Sequence, residues 1–175
     1  MPTVNLAKEP LFILHCQKYS YRIDKNQIMK ELEEVEILIV EDNENDAEMA
    51  LRALKKNNLT NHVLVVPDGE EALDFIFARG KYEYRKDYKR PRMILLDLKL
   101  PKVDGMEVLR AMKENAETRI IPVIILTSSR EECDLFDSYR LGVNSYIVKP
   151  VDFDKFVNAV HDLGMYWLLL NQQPK

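Results

Sequence analysis

The sequence has no apolar run long enough to cross a bilayer. Its strongly apolar stretches, such as LFIL (11–14), ILIV (37–40) and IILT (124–127), fall far short of the roughly 20 residues that span a hydrocarbon core. No basic stretch leads into a long apolar region near the start, so a secretory signal is not expected. Cysteine is scarce. Cys16 and Cys133 stand far apart and make no metal-type spacing, which fits two free thiols in a reducing compartment. An excess of positive charge is also lacking: the formal net charge is −4, so nothing pulls the whole chain toward nucleic acid or an anionic membrane. There is no internal repeat and no low-complexity tract. These absences predict a cytoplasmic protein without a membrane anchor, and 175 residues suffice for one domain with a real core.

What is present is a regular alternation. EILIV (36–40), HVLVV (62–66), MILLD (93–97), VIILT (123–127) and SYIVK (145–149) are short apolar strands. Between them, apolar residues recur at helical spacing: Ala47, Ala50, Leu51 and Leu54, then Ala72, Leu73, Ile76 and Phe77, then Met106, Val108, Leu109 and Met112. A fourth helix is predicted over about 130–141, stopping at Gly142, and a fifth from near Asp152. Five continuous apolar strands, each followed by a helix, predict an α/β fold, a doubly wound five-stranded parallel sheet covered on both faces. The domain is expected over 35–170, with an N-terminal extension at 1–34 and a tail at 171–175.

In such a sheet, ligands bind outside the carboxyl ends of the strands. The residues at those ends are Glu41 and Asp42 after strand one, Asp97 at the end of strand three, Thr127 at the end of strand four and Lys149 after strand five. Each has a duller reading. Asp42 could cap the first helix, Asp97 could be a loop acid, Lys149 a surface lysine, and Ser129 with Glu132 a capping box. Side-by-side carboxylates repel unless a cation sits with them. A hard divalent ion such as Mg²⁺ suits an all-oxygen donor set. A carboxylate can also serve as a nucleophile and form an acyl phosphate. Phosphoryl transfer needs mainly positioning and charge neutralisation, which Mg²⁺, Lys149 and the Thr127 hydroxyl would share. A phosphohydrolase with an Asp nucleophile is an alternative; the haloacid-dehalogenase type would place an acid at position 99, where Lys99 stands. A flavodoxin-like cofactor binder is a third possibility, but EDNEND (41–46) would repel a phosphate after strand one.

The stretches VEDN (40–43), ILLDLKLPKVDGMEVL (94–109), VIILTSS (123–129) and SYIVKP (145–150) resemble the receiver domain of two-component response regulators over about residues 35–165. The resemblance implies a flavodoxin-like receiver fold. It implies Asp97 as phosphoacceptor, and Mg²⁺ held by Asp42, Asp97 and the Lys99 backbone carbonyl, with Glu41 acting through water. It also implies Thr127 and Tyr146 as switch positions, Lys149 as the phosphoryl-contacting lysine, and a cis Lys149–Pro150 peptide. Such a protein catalyses only its own phosphorylation and dephosphorylation. The long connection RGKYEYRKDYKRPR (79–92) and the tail LGMYWLLLNQQPK (163–175) resemble stand-alone regulators paired with phytochrome-type sensor histidine kinases. No output domain is expected after the fifth helix, and no direct DNA binding.

Two features lie beside that frame. The 79–92 connection is basic and carries Tyr82, Tyr84 and Tyr88, a pattern that could meet nucleic acid or could be a solvated loop with its tyrosines packed inward. It leads into strand three, so it sits at the amino ends of the strands and cannot cover Asp97. In the last helix, Phe153, Phe156, Val157, Val160, Leu163 and Trp167 share one face, and MYWLLL (165–170) continues it apolar nearly all round. That pattern wants a second surface. A homodimer through the fourth helix, fifth strand and fifth helix is expected, with packing onto residues 1–34 as the alternative.

Overall fold

The computed structural model describes residues 13–15, 35–56, 62–87, 89–128, 132–149, 153–164 and 166, with the backbone alone at 13–15, 132, 153 and 164. The described elements are β1 (Ile13–His15), β2 (Ile37–Val40), α1 (Glu44–Lys56), β3 (Val63–Val66), α2 (Gly69–Ile76), a 3₁₀ turn (Gly80–Arg85), β4 (Met93–Leu96), α3 (Gly105–Glu114), β5 (Val123–Thr127), α4 (Glu132–Arg140), β6 (Ser145–Val148) and α5 (Phe153–Gly164). All five predicted strands form. They make one parallel sheet, and a short sixth strand from the N-terminal extension adds to its edge, giving the order β1-β3-β2-β4-β5-β6.

Strand side chains alternate between faces, and the core divides accordingly. Leu38, Val40, Leu64, Val66, Ile94 and Leu96 point to one side, where Ala72, Phe75 and Ile76 of α2 and Val108, Leu109 and Met112 of α3 meet them. Ile37, Ile39, Val63, Val65, Met93 and Leu95 point to the other, against Ala50, Leu51 and Leu54 of α1 and Phe156, Val157 and Val160 of α5. The central strands β2, β3 and β4 are buried on both faces, which is why their sequences read as unbroken apolar runs. On α5, Phe156, Val157 and Val160 cover the sheet as the helical spacing predicts. Phe153's side chain, Trp167, Leu169 and Leu170 lie outside the described residues, as do Pro150 and Ser129.

Helix starts are fixed by local chemistry. Asp68 caps α2, accepting from the Glu71 amide at 2.8 Å. Asp104 and Glu107 form a reciprocal capping box on α3. Two glycines allow the loops at the carboxyl edge to touch. A Cβ on Gly69 would lie 2.1 Å from the Val103 carbonyl oxygen, and one on Gly105 would lie 2.1 Å from that of Asp97.

The basic connection is more ordered than a loop. Tyr82 is buried and meets Phe75 edge-on at 5.1 Å, its hydroxyl donating to Glu71. Tyr84 packs against the same core, while Tyr88 lies outside the described residues. Lys81 pairs with Glu71, Lys86 with Glu83, Arg90 with Glu117 and Arg92 with Glu36. The inward-packed reading therefore holds for the two tyrosines described, and four of the cations have acidic partners. The connection enters β4 at the edge away from Asp97, as its place in the chain requires.

Candidate active site

Parallel pairing carries every strand to the same edge. Val40 lies opposite Leu96 and Val66. The Glu41 amide then donates to Val66 and the Asp97 amide to Val40, each at 3.0 Å. One more residue of chain therefore sets Glu41 and Asp97 side by side, both buried. From the far side, the Lys149 amide donates to the Thr127 carbonyl at 2.7 Å. That bond aims Lys149 across the sheet edge toward the acids.

The Lys149 ammonium binds Glu41 Oε2, reaches Asp97 Oδ2 at 2.6 Å, and lies 3.1 Å from Asp46 Oδ2. Its side chain is 7% exposed, and those of Glu41 and Asp97 are 5% and 6%. Carboxylates crowd this strand end because a buried ammonium balances them. Burial pulls the lysine toward deprotonation, but the hydrogen bonds and charges of Asp97 and Glu41 outweigh it and hold its pKa above the usual lysine value. Burial pushes Glu41 up to about 7, although Lys149 works against that rise. A void of about 10 Å³ lined in part by Glu41, Asp46, Asp97 and Lys149 is on the scale of one water.

Glu41, Asp42 and Asp97 each offer a carboxylate oxygen, all within 4.8 Å of one another. This donor set of oxygens alone, with Asp42 open to solvent, fits a hard divalent cation that keeps several waters. The second Asp97 oxygen accepts from the Lys99 amide at 3.2 Å, which folds the following loop back over the acid; the Lys99 side chain is exposed. Thr127 is fully buried at the end of β5. Tyr146 sits on the adjacent strand, opposite Ile125, and packs half-buried against the core. Glu41, Asp42, Asp97, Thr127 and Lys149 thus share one edge, with Tyr146 beside them.

The residue that sequence reading passed over is Asp46, a third acid on Lys149. It stands in the first turn of α1, four residues after Asp42. The α1 cap is Asn43, not Asp42: its side-chain oxygen accepts from the amides of Asn45 at 2.9 Å and Asp46 at 3.3 Å. With Asn43 capping, Asp42 is left to face the acid cluster.

The family model described as the response regulator receiver domain matches residues 37–161. The probable methanogenesis regulatory protein FilR2 of Methanothrix harundinacea is 37% identical over 155 residues, covering 89% of this chain and 97% of that protein. The response regulator Rcp1 of Synechocystis is 38% identical over 132 residues, 75% of this chain and 88% of Rcp1. The crystal structure of Rcp1 in its Mn²⁺-bound form superposes with a TM-score of 0.71 at 37% identity, over 79% of this chain and 98% of that one. The bacteriophytochrome response regulator AtBRR is 54% identical over 78% of this chain and 96% of its own, with a TM-score of 0.63.

Proposed function

The chain belongs to the response regulator receiver domain family, and from that premise we propose that Asp97 accepts a phosphoryl group from a sensor histidine kinase of phytochrome type. The observation that carries this reading is the placement of Asp97. It is a buried carboxylate held by the Lys149 ammonium on one oxygen and the Lys99 amide on the other, beside two further acids. An Asp97 oxygen attacks phosphorus and forms an acyl phosphate, while the bond from phosphorus to the donor's leaving atom breaks and its electron pair departs with the donor. Mg²⁺ is the ion we assign to the acids, through Asp42, Asp97 and the Lys99 carbonyl, with Glu41 acting through water; when bound, it neutralises phosphoryl oxygens. Lys149 then exchanges a carboxylate for the incoming phosphoryl oxygen. Thr127, one strand over, supplies a hydroxyl. Movement of Thr127 toward the phosphoryl group frees space for the Tyr146 ring, which makes the two residues a switch.

The signal leaves through a surface. On α4, Leu135, Phe136 and Tyr139 are 40%, 63% and 54% exposed, and Val148 at the end of β6 is 37% exposed. This apolar face supports a homodimer built from α4, β6 and α5, next to Tyr146. AtBRR, named for its bacteriophytochrome, supports the kinase type.

The test is mass spectrometry after incubation with acetyl phosphate and Mg²⁺. Wild type should gain one phosphoryl group, and Asp97→Asn should gain none while staying folded, since an amide is not a nucleophile. An adduct on the variant at another acid would remove Asp97 from its role, and continuous turnover without an adduct would favour a hydrolase. Light scattering on the same samples should show dimer in the phosphorylated wild type; monomer at every concentration would rule out the α4–β6–α5 interface.

A further inference from the structure

We propose that the cleft at the amino edge of the sheet, remote from Asp97, binds a small diphosphate-bearing anion. The cleft has a volume of about 410 Å³ and lies between the end of α2, the segment that follows the 3₁₀ turn, and the exit of α3. That volume falls within the range of small-molecule sites, about 300–1,000 Å³. Five cations line it, Arg79, Arg85, Lys86, Lys89 and Arg90, against two acids, Asp87 and Glu117.

The pairings reduce that excess from three to two. Glu117 is taken by Arg90, and Lys86 by Glu83 from outside the cleft. Among the described residues, neither Arg79 nor Lys89 has a carboxylate partner. A positive concavity on a chain of net charge −4 focuses potential toward an anion.

The wall is also preorganised. Arg85 is buried, its guanidinium 4.0 Å from the centre of the Phe75 ring, and its Nη2 donates to the Lys89 carbonyl at 3.0 Å. The Arg79 guanidinium rests on Phe77 at 4.8 Å. Asn115 uses its side-chain oxygen to cap the amides of Glu117 and Thr118, which leaves its NH₂ group as a donor on the wall. The stacked, exposed Arg79 guanidinium presents a fork suited to phosphate oxygens, and one held before binding loses little freedom on binding, while the buried Arg85 adds its charge from within the wall. The net excess of two positive charges matches a diphosphate better than a single carboxylate. The strand β4 separates this cleft from Asp97, so the proposal stands whether or not Asp97 accepts phosphate.

The experiment is isothermal titration of the full chain with pyrophosphate, in EDTA so that no metal draws phosphate to the acidic edge. Wild type should show one saturable site whose affinity falls several-fold between about 50 and 200 mM salt, as screening shortens the reach of exposed charge. Arg79→Ala with Lys89→Ala should weaken binding by about tenfold or more. Arg79→Lys with Lys89→Arg keeps the charges and should retain most of it. Arg52→Ala removes an exposed cation on α1, paired with Glu48, and should change nothing. Amide chemical-shift changes should cluster around residues 79, 89 and 115. No saturable heat with wild type would overturn the proposal. So would a loss in the double alanine variant no larger than in Arg52→Ala, or shifts confined to residues 41 and 97.

Discussion

The two edges of one sheet handle charge in opposite ways. At the carboxyl edge, Glu41, Asp46 and Asp97 converge on a single ammonium, and three of the four side chains are at most 7% exposed. At the amino edge, Lys86–Glu83 and Arg90–Glu117 are one-to-one pairs with both members at least 45% exposed. The sheet supplies the first arrangement through its parallel register, which delivers strand-end residues from β2, β4 and β6 to one point. The second is assembled by residues near one another on the surface. Burial makes the first set interdependent, since each charge there depends on the others to offset its lost hydration. Water does that work for the two amino-edge pairs.

The sharpest way to break this contrast is Lys149→Met. The change removes the only ammonium held by Glu41 and Asp97 among the described residues and puts an apolar chain of similar length in its place. Stranding buried charge typically costs about 3–5 kcal/mol. Glu41, already pushed up to about 7, takes up a proton and softens the loss, so about 2–3 kcal/mol is expected in metal-free urea unfolding at pH 8. Mg²⁺ should restore part of it by replacing the missing cation. An unfolding midpoint close to wild type would mean that the acids do not need their lysine.

How much of this was legible follows from which interactions are local. The strands declare themselves because β2, β3 and β4 are apolar on both faces, and the acids at their ends could be read off the parallel topology alone. Asp46 could not, because the phase of α1 depends on its cap. Nothing in EDNEND says that Asn43 rather than Asp42 is that cap, and moving the start of the helix rotates Asp46 toward or away from Lys149. Arg85 was hidden for another reason. In a run of seven basic residues it looks like any other, and its burial depends on Phe75, ten residues earlier across a helix end and a 3₁₀ turn. The edge strand Ile13–His15 pairs with Val63–Val65 over some fifty residues, a distance at which a three-residue strand carries no register. Local patterns gave elements and strand ends; caps, stacked cations and edge pairing needed the fold.

A smaller effect sharpens the contrast within the acidic edge itself. Asp42 is exposed and is not among the acids that hold the Lys149 ammonium, yet its carboxylate lies within 4.8 Å of those of Glu41 and Asp97. Asp42→Ala should therefore cost metal rather than fold. Mg²⁺ affinity should drop at least about tenfold, equivalent to about 1.4 kcal/mol, by calorimetric titration. The metal-free protein should become slightly more stable, because one of several neighbouring anions is gone. Unchanged Mg²⁺ affinity would take Asp42 out of the metal site.

The smallest effect belongs to the amino edge, and its smallness is the point. Arg90 and Glu117 are 45% and 69% exposed, so water hydrates both before and after they meet. A pair of this kind gains little Coulomb energy in high dielectric and holds two long side chains in one geometry, which leaves a net contribution near 0–1 kcal/mol. Arg90→Gln removes the charge and shortens the side chain while keeping its aliphatic stem and an amide that can still donate a hydrogen bond. Urea unfolding should shift by less than about 0.5 kcal/mol, and the acetyl phosphate adduct on Asp97 should form as in wild type. A shift above about 1 kcal/mol would show that the amino-edge cations hold the 3₁₀ segment in place, and the division between a buried, interdependent edge and a solvated, separable one would fall.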